Sequence, residues 1–294
     1  MGIPIVWTAS ELRSIVAVWH GDGLKVAVVP TMGALHEGHL SLVRAALARA
    51  DWVIVTLFVN PKQFNSAADL IAYPRTEYDD AAKLAPLGAH ILYAPDAADV
   101  YPQGFATTVS VGAVSEGLCG AFRPGHFDGV ATVVTKLFLQ TGADQAFFGE
   151  KDFSMRRLVR DLDIPIKIVA CPTVREDDGL AMSSRNARLS GAERRAAPRL
   201  AQILFETARR LNCEVCIDRV LDEARQAILA AGFSEVEYIE LRAPEDLGTI
   251  ATPNKPARLL VAAWLGQTRL IDNVEVWSPQ SSLRGYIPAA ADAA

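Results

Sequence analysis

The chain has 294 residues, of which 50% are hydrophobic and 21% charged. That length predicts one large domain or two modest ones with a substantial core, and it excludes wholesale disorder. Lys plus Arg number 29 against 34 Asp plus Glu, a net charge of −5, so the global basic field of a nucleic-acid binder is missing while a local pocket for an anion stays open.

The N-terminal stretch MGIPIVWTASELRS has no basic n-region and no long apolar h-region, so no signal peptide is expected. Val6 stands where N-myristoylation needs Ser or Thr. Residues 25–29 (KVAVV) are a short β-branched run, followed by a Gly-rich turn and a helical stretch at 40–50. Residues 52–59 (WVIVTLFV) are nearly continuous in apolar side chains, as a strand buried on both faces should be. A helix near 77–87 leads to a strand at 89–93, a helix at 129–141 to a strand at 144–148, and a helix at 152–163 to a strand at 166–170. Repeated βα units predict an α/β fold, a Rossmann-like parallel sheet with helices on both faces. After residue 174 the pattern changes to helices at 192–211 and 216–231, then strands at 236–242, 257–265 and 269–276. That order predicts a smaller α+β C-terminal domain. The expected division is 1–174, 175–280 and a flexible tail at 281–294. The apolar runs at 52–59 and 259–265 fall well short of the ~20 residues of a membrane span, so a soluble, cytoplasmic protein is expected.

The segment most informative about chemistry is PTMGALHEGHL (residues 30–40), placed after the first strand and opening a helix. In an open α/β sheet, ligands bind beyond the carboxyl ends of the strands, where helix N-termini offer free N–H groups. His36 and His39 can face one site from there, with Gly38 letting the backbone approach a phosphate. A Gly-rich loop with two surface histidines is the plainer reading of H-x-x-H alone. A Walker A loop is absent from the chain.

HEGH fits the H-x-G-H signature of the nucleotidyltransferase-like superfamily, and the chain resembles the pantothenate synthetase (pantoate–β-alanine ligase) family within it. Six blocks carry the resemblance in order: PTMGALHEGHLSL from residue 30, FVNPKQF from 58, YPRT from 73, RPGHFDGV from 123, FGEKDF from 148 and DGLAMSSRN from 178. The resemblance implies an AMP-forming ligase: pantoate's carboxylate attacks the α-phosphate of ATP, diphosphate leaves, and β-alanine's amine attacks the adenylated carbonyl. It implies ATP binding by Met32, Gly33, Ala34, Leu35, His36, Glu37, Gly38 and His39, by Gly149, Glu150, Lys151 and Asp152, and by Val174, Met182, Ser183, Ser184 and Arg185. His39 corresponds to the family's proton donor, with His36, Lys151 and Arg185 as further catalytic groups. Gln63 corresponds to the family's substrate glutamine, with Asn60 on the same loop and Met32 as an apolar wall for pantoate. An amide can bind a hydroxyl and an amine in turn. Asp79 and Asp80 are candidates for the outer shell of the Mg²⁺ that accompanies ATP, or else an exposed acidic helix start. Arg123 and His126 belong to the pocket rim or to its support. The resemblance further implies a homodimer in the coenzyme A pathway whose C-terminal domain lids the site, with no nucleic-acid or membrane partner.

The match breaks after Phe153. The family continues with two glutamines, whereas this chain reads Ser154-Met155-Arg156-Arg157 and is shorter by about four residues, near one helical turn of ~3.6. The second glutamine is a pantoate ligand in the family, so weaker pantoate binding or another acid substrate is expected, with ATP binding kept. Two alternatives stay open: a nucleotidyltransferase acting on another acid, and a non-catalytic ATP-binding paralogue. Four cysteines are too few for a disulfide scaffold, and Cys213 and Cys216, though spaced C-x-x-C, lack the second pair or the histidines of a zinc site. Cys119 and Cys171 have no partner pattern, and His20 and His90 read as ordinary surface or turn residues.

Overall fold

The computed structural model of the chain describes residues 2–65, 67–112, 118–150, 154–212, 216–244, 247–250 and 256–276. It divides into two compact units, Met1–Arg188 and Leu189–Ala294. The first contains β1 (Ile5–Val6), α1 (Ala9–Gly21), β2 (Val26–Thr31), α2 (Glu37–Leu47), β3 (Trp52–Leu57), α3 (Ala67–Ile71), α4 (Glu77–Leu84), β4 (Ile91–Tyr93), α5 (Ala97–Val100), α6 (Cys119–Phe122), α7 (His126–Thr141), β5 (Gln145–Gly149), α8 (Ser154–Asp161) and β6 (Lys167–Cys171). The strands form one sheet in the order β1-β4-β3-β2-β5-β6, with every pairing parallel.

Val26, Ala27, Val28 and Val29 are all fully buried, and a strand buried on successive residues needs cover on both faces. On one side α2 packs on β2, β3 and β5, where Leu42 and Val43 join Val29, Val55 and Phe147 in the core. The helices α1 and α7 pack on each other and on β2. The expected parallel sheet with helices on both faces is what forms. From β2 the chain runs outward through β3 and β4, then returns to place β5 on the other flank of β2. Strand order therefore reverses between β2 and β5, the kind of switch point beyond whose carboxyl ends open α/β sheets form their ligand crevice.

Five elements of the first unit, β1, α1, α3, α5 and α6, escape the periodicity reading. β1 is only two residues long, and α1 is announced mainly by its cap, Thr8 accepting a hydrogen bond from the Glu11 N–H at 3.3 Å. Leu12, Val16 and Trp19 supply its buried face, and Trp19 stacks on Trp52 with ring centroids 4.3 Å apart. His90 is more than a surface residue: its Nδ1 accepts the Val53 N–H at 3.0 Å, its ring leans on Trp52, and burial pushes its pKa down.

The second unit contains α9 (Gly191–Ala196), α10 (Pro198–Leu211) and α11 (Ile217–Ala230), then an antiparallel sheet β7 (Glu235–Arg242), β8 (Ala257–Leu265) and β9 (Thr268–Val276). The helix expected across 192–211 is two helices, because Pro198 has no N–H to give and starts a new one instead. The division between units falls after Arg188, whereas the sequence pattern suggests residue 174. Residues 175–188 fold back on the first unit: Met182 N–H bonds to the Val174 carbonyl at 3.0 Å, and the Tyr73 hydroxyl lies 3.3 Å from Ser184 Oγ. The tail expected at 281–294 and Cys213 lie outside the described residues, while Cys171 is a buried free thiol and Cys216 an exposed one.

Candidate active site

Every loop that carries a candidate residue leaves the carboxyl end of a parallel strand. After β2 the chain turns through Gly33 and Ala34, at φ +83° and +51°, both in the left-handed region. An alanine held there is strained by ~1–2 kcal/mol unless something over-determines it. Asp80, on α4, does so: its carboxylate accepts the Ala34 N–H at 2.9 Å and the Leu35 N–H at 2.8 Å, and the Thr76 hydroxyl at 3.0 Å. Lys83 Nζ donates to the Leu35 carbonyl at 2.8 Å. A side chain at position 33 would meet Asp80 Oδ2 at 3.1 Å and Leu57 Cγ at 3.2 Å, so the loop fits over the carboxylate only as glycine.

This corrects the expectation for Asp80 as an outer Mg²⁺ ligand. It is wholly buried with both oxygens engaged by protein donors, whereas its sequence neighbour Asp79 is exposed. Among the described residues no group of three or more His, Cys, Asp or Glu gathers to hold a metal. The variant Asp80→Asn should lose ~1–3 kcal/mol of stability in urea denaturation, because one amide edge must face a backbone N–H as donor against donor. An unchanged denaturation midpoint would show that the loop is held by other contacts.

His36 is the N-cap of α2 and His39 its third residue, and the two close a capping box. His36 Nδ1 accepts the Gly38 N–H at 3.1 Å, and His39 Nδ1 accepts the His36 N–H at 3.3 Å. A ring nitrogen that accepts a backbone N–H carries no proton, so each neutral imidazole holds its hydrogen on Nε2. The rings lie 4.1 Å apart at the helix start, each with its N–H at Nε2. Gly38 has a steric reason: a Cβ there would fall 2.9 Å from His36 Nδ1 and Cε1, driving the imidazole off its cap. Glu37 turns outward to an ion pair with Arg44, so its side chain lies away from this pair.

The loop after β3 carries Asn60 and Gln63. Gln63 Nε2 lies 2.7 Å from Met32 Sδ, which brings the expected substrate amide and its apolar neighbour together. Asn60, expected among the substrate residues, is instead fully buried, donating to Gln63 Oε1 at 3.2 Å and to the Gly129 carbonyl at 2.9 Å. With its amide committed to protein partners, Asn60 supports Gln63. Arg123 and His126 prove to be support as well: Arg123 Nη2 and His126 Nδ1 reach the Gln63 carbonyl at 3.1 and 2.7 Å. Since a carbonyl only accepts, His126 is protonated on Nδ1, and its Nε2 takes the Arg123 Nη1–H at 3.2 Å. Gly129 and Tyr73 stand in the RPGHFDGV and YPRT blocks without an assigned role, and Tyr101 lies outside every block; the RPGHFDGV block offers no hint that a backbone passes against Gly129.

Gly149 ends β5, and the N–H of Glu150 after it extends the sheet ladder to the Cys171 carbonyl at 3.0 Å. Lys151 and Asp152 lie outside the described residues. Val174, Met182, Ser183, Ser184 and Arg185 follow β6 in a turn pinned by Asn186, whose amide donates to Glu176 Oε1 at 2.7 Å and to the Ala181 carbonyl at 3.1 Å. A Cβ at Gly38 would sit 3.6 Å from Met182 Cβ, so this turn packs directly on the start of α2. The Ser183 hydroxyl accepts the Arg185 N–H at 3.2 Å. After the shortened stretch, Met155 is a core residue, 2% exposed, and offers no polar group to a ligand.

Comparison with known proteins bears on what these residues serve. The family model described as Pantoate-beta-alanine ligase matches residues 4–275. A pantothenate synthetase of Chelativorans sp. (strain BNC1) is 70% identical over 283 residues, covering 95% of this chain and 100% of its own. One from Roseobacter denitrificans is 56% identical over 280 residues, covering 94% and 99%. Among solved structures, the pantothenate synthetase of Thermus thermophilus superposes with a TM-score of 0.87 at 40% identity, covering 94% of this chain and 100% of that one. A pantoate-beta-alanine ligase from Francisella tularensis, complexed with β,γ-ATP and β-alanine, gives a TM-score of 0.78 at 34% identity, covering 92% and 97%.

Proposed function

The chain belongs to the pantoate–β-alanine ligase family, and from its site we infer that it condenses pantoate with β-alanine using ATP, giving pantothenate, AMP and diphosphate. The observation that carries this reading is the capping box of α2, which fixes the His36 and His39 rings side by side at a helix start beyond the carboxyl end of β2. Transfer at the α-phosphate asks the protein mainly for positioning and for donors where negative charge develops. Pantoate's carboxylate oxygen bonds to the α-phosphorus as the bond to diphosphate breaks, and His39 Nε2–H, with His36 beside it, meets the charge on the departing phosphates. The β-alanine amine then adds to the acyl carbon, loses its proton, and AMP leaves with the electron pair of the acyl–oxygen bond.

Gln63 and Met32 hold pantoate on this reading, and Arg185, Ser183 and Ser184, with Lys151 by resemblance, complete the ATP side. Mg²⁺ enters bound to ATP as part of the substrate, supplying charge neutralisation at the phosphates. The other acid substrate and the inactive paralogue are not favoured, since the relatives above match over nearly the whole chain under one name. Family resemblance supports a cytoplasmic homodimer, and among the described residues no helix is long and apolar enough to cross a membrane.

The test is diphosphate release from Mg-ATP with pantoate alone, then with β-alanine added. Pantoate-dependent diphosphate, with AMP and pantothenate accumulating once β-alanine is present, is the expected result. Because the second glutamine is missing and neither Ser154 nor Met155 replaces its amide, KM for pantoate should stand about tenfold above that of a relative carrying both glutamines. Binding of ATP with no diphosphate under either condition would sink the assignment.

A further inference from the structure

If Gln63 is the amide that meets pantoate, as the proposed function has it, then the edge it presents decides what it can bind. Its carbonyl edge accepts and its NH₂ edge donates. Gln63 Oε1 takes a hydrogen bond from Asn60 Nδ2 at 3.2 Å, so the donor edge is the one facing Met32 and the crevice. That choice is dictated by how Asn60 is held. Asn60 Nδ2 also donates to the Gly129 carbonyl at 2.9 Å, and Asn60 Oδ1 accepts the Lys62 N–H at 3.2 Å and the Tyr101 hydroxyl at 2.8 Å. All four hydrogen-bonding positions of the Asn60 amide are filled, in a residue with no exposed surface. Reversing Asn60 would set N–H against N–H at Lys62 and oxygen against oxygen at Gly129.

We propose that Tyr101 is a positioning residue for the acid substrate: acting through Asn60, it keeps the donor edge of Gln63 turned toward pantoate's oxygen atoms. Tyr101 is the C-cap of α5, brought in by the segment that follows β4. Its ring is fixed edge-on to Phe105 at 5.1 Å and tilted on Phe58 at 6.1 Å, with the Lys62 ammonium 5.2 Å above it. Burial pushes its pKa up to about 12, so the phenol keeps its proton at any pH used for assay. A donor edge suits the carboxylate and hydroxyl oxygens of pantoate and does not suit an ammonium group. The relay therefore predicts an effect on the acid and none on ATP.

The test is steady-state kinetics of the full chain with Tyr101→Phe, which removes one oxygen and keeps the ring, alongside Gln63→Ala and the double variant. Tyr101→Phe should raise KM for pantoate about three- to tenfold, leave KM for ATP within about twofold, and lower the melting temperature by only a few degrees. If Tyr101 acts through Gln63, the double variant should have the pantoate KM of Gln63→Ala alone. A merely structural tyrosine would instead multiply the two effects and move the ATP KM as well, and either result overturns the proposal. So does an unchanged pantoate KM in Tyr101→Phe. An unmodified chain that releases no diphosphate with pantoate refutes the function itself. Normal ligation with Gln63→Ala at an unaltered pantoate KM refutes Gln63 as the contact, and Tyr101 falls with it.

Discussion

Replacing His39 by alanine should lower kcat for diphosphate release by about 10²- to 10³-fold, the usual effect of removing one preorganised donor from a site of developing charge. His39 has two tasks that the substitution removes together. Its Nδ1 takes the His36 N–H and so closes the cap of α2, and on the proposed function its Nε2–H meets the phosphates. The tasks separate in His39→Gln, because glutamine at the third helical position can still reach back to the N-cap N–H. That variant should recover the ~1 kcal/mol of stability a lost cap takes away, yet recover little of the rate. Thermal melting read beside single-turnover diphosphate release distinguishes the two. A kcat within tenfold of the unmodified chain for His39→Ala would mean that the proton or the charge is handled elsewhere.

Gly129→Ala should damage both stability and turnover, against what helix propensity alone predicts. In an exposed helix interior the change stabilises by about 1 kcal/mol. Gly129 is buried in the first turn of α7, and a Cβ there would fall 2.2 Å from the Lys62 carbonyl oxygen, 2.5 Å from its carbon and 2.8 Å from the Gln63 nitrogen. Those are backbone atoms, which cannot rotate away, so the loop must retreat from the helix by about 1 Å, and a shift of that size can cost 10²-fold in rate. Overpacking of this kind typically destabilises by ~1–3 kcal/mol, which exceeds the propensity gain. The retreat also stretches the Asn60 bond to the Gly129 carbonyl, so the pantoate KM should rise more than that of ATP. A variant that melts higher and keeps its kcat/KM for pantoate would show that the close approach has no functional weight.

Much of the first unit is legible without coordinates, because the relevant signals are local. Apolar residues on successive positions mark Val26–Thr31 and Trp52–Leu57 as strands covered on both faces. The H-x-G-H spacing places two imidazoles on one helix start, and Gly38 falls where a side chain would displace one of them. The small antiparallel sheet of the second unit is likewise visible as three apolar runs, and Pro198 marks a break that its helical surroundings conceal. β1 falls below the length at which a period can be read at all.

The polar side chains are another matter. In the sequence Asp79 and Asp80 are equivalent neighbours, yet one is exposed and the other wholly buried, holding the Ala34 and Leu35 N–H groups 46 and 45 positions away. Asn60 reads as a substrate ligand beside Gln63 until Gly129 and Tyr101, 69 and 41 positions away, take up its amide. Periodicity and capping are written into residues a few positions apart, so composition and spacing determine which segments become strands and helices. Which partner a buried carboxylate or amide finds depends on strands and helices meeting across the sheet, since a buried polar group must be satisfied by whatever the fold brings near it. The sequence by itself thus determined the longer strands and helices and the pair of histidines. Only the tertiary structure decided which of the nearby polar residues are taken up by protein partners and hold the site in shape.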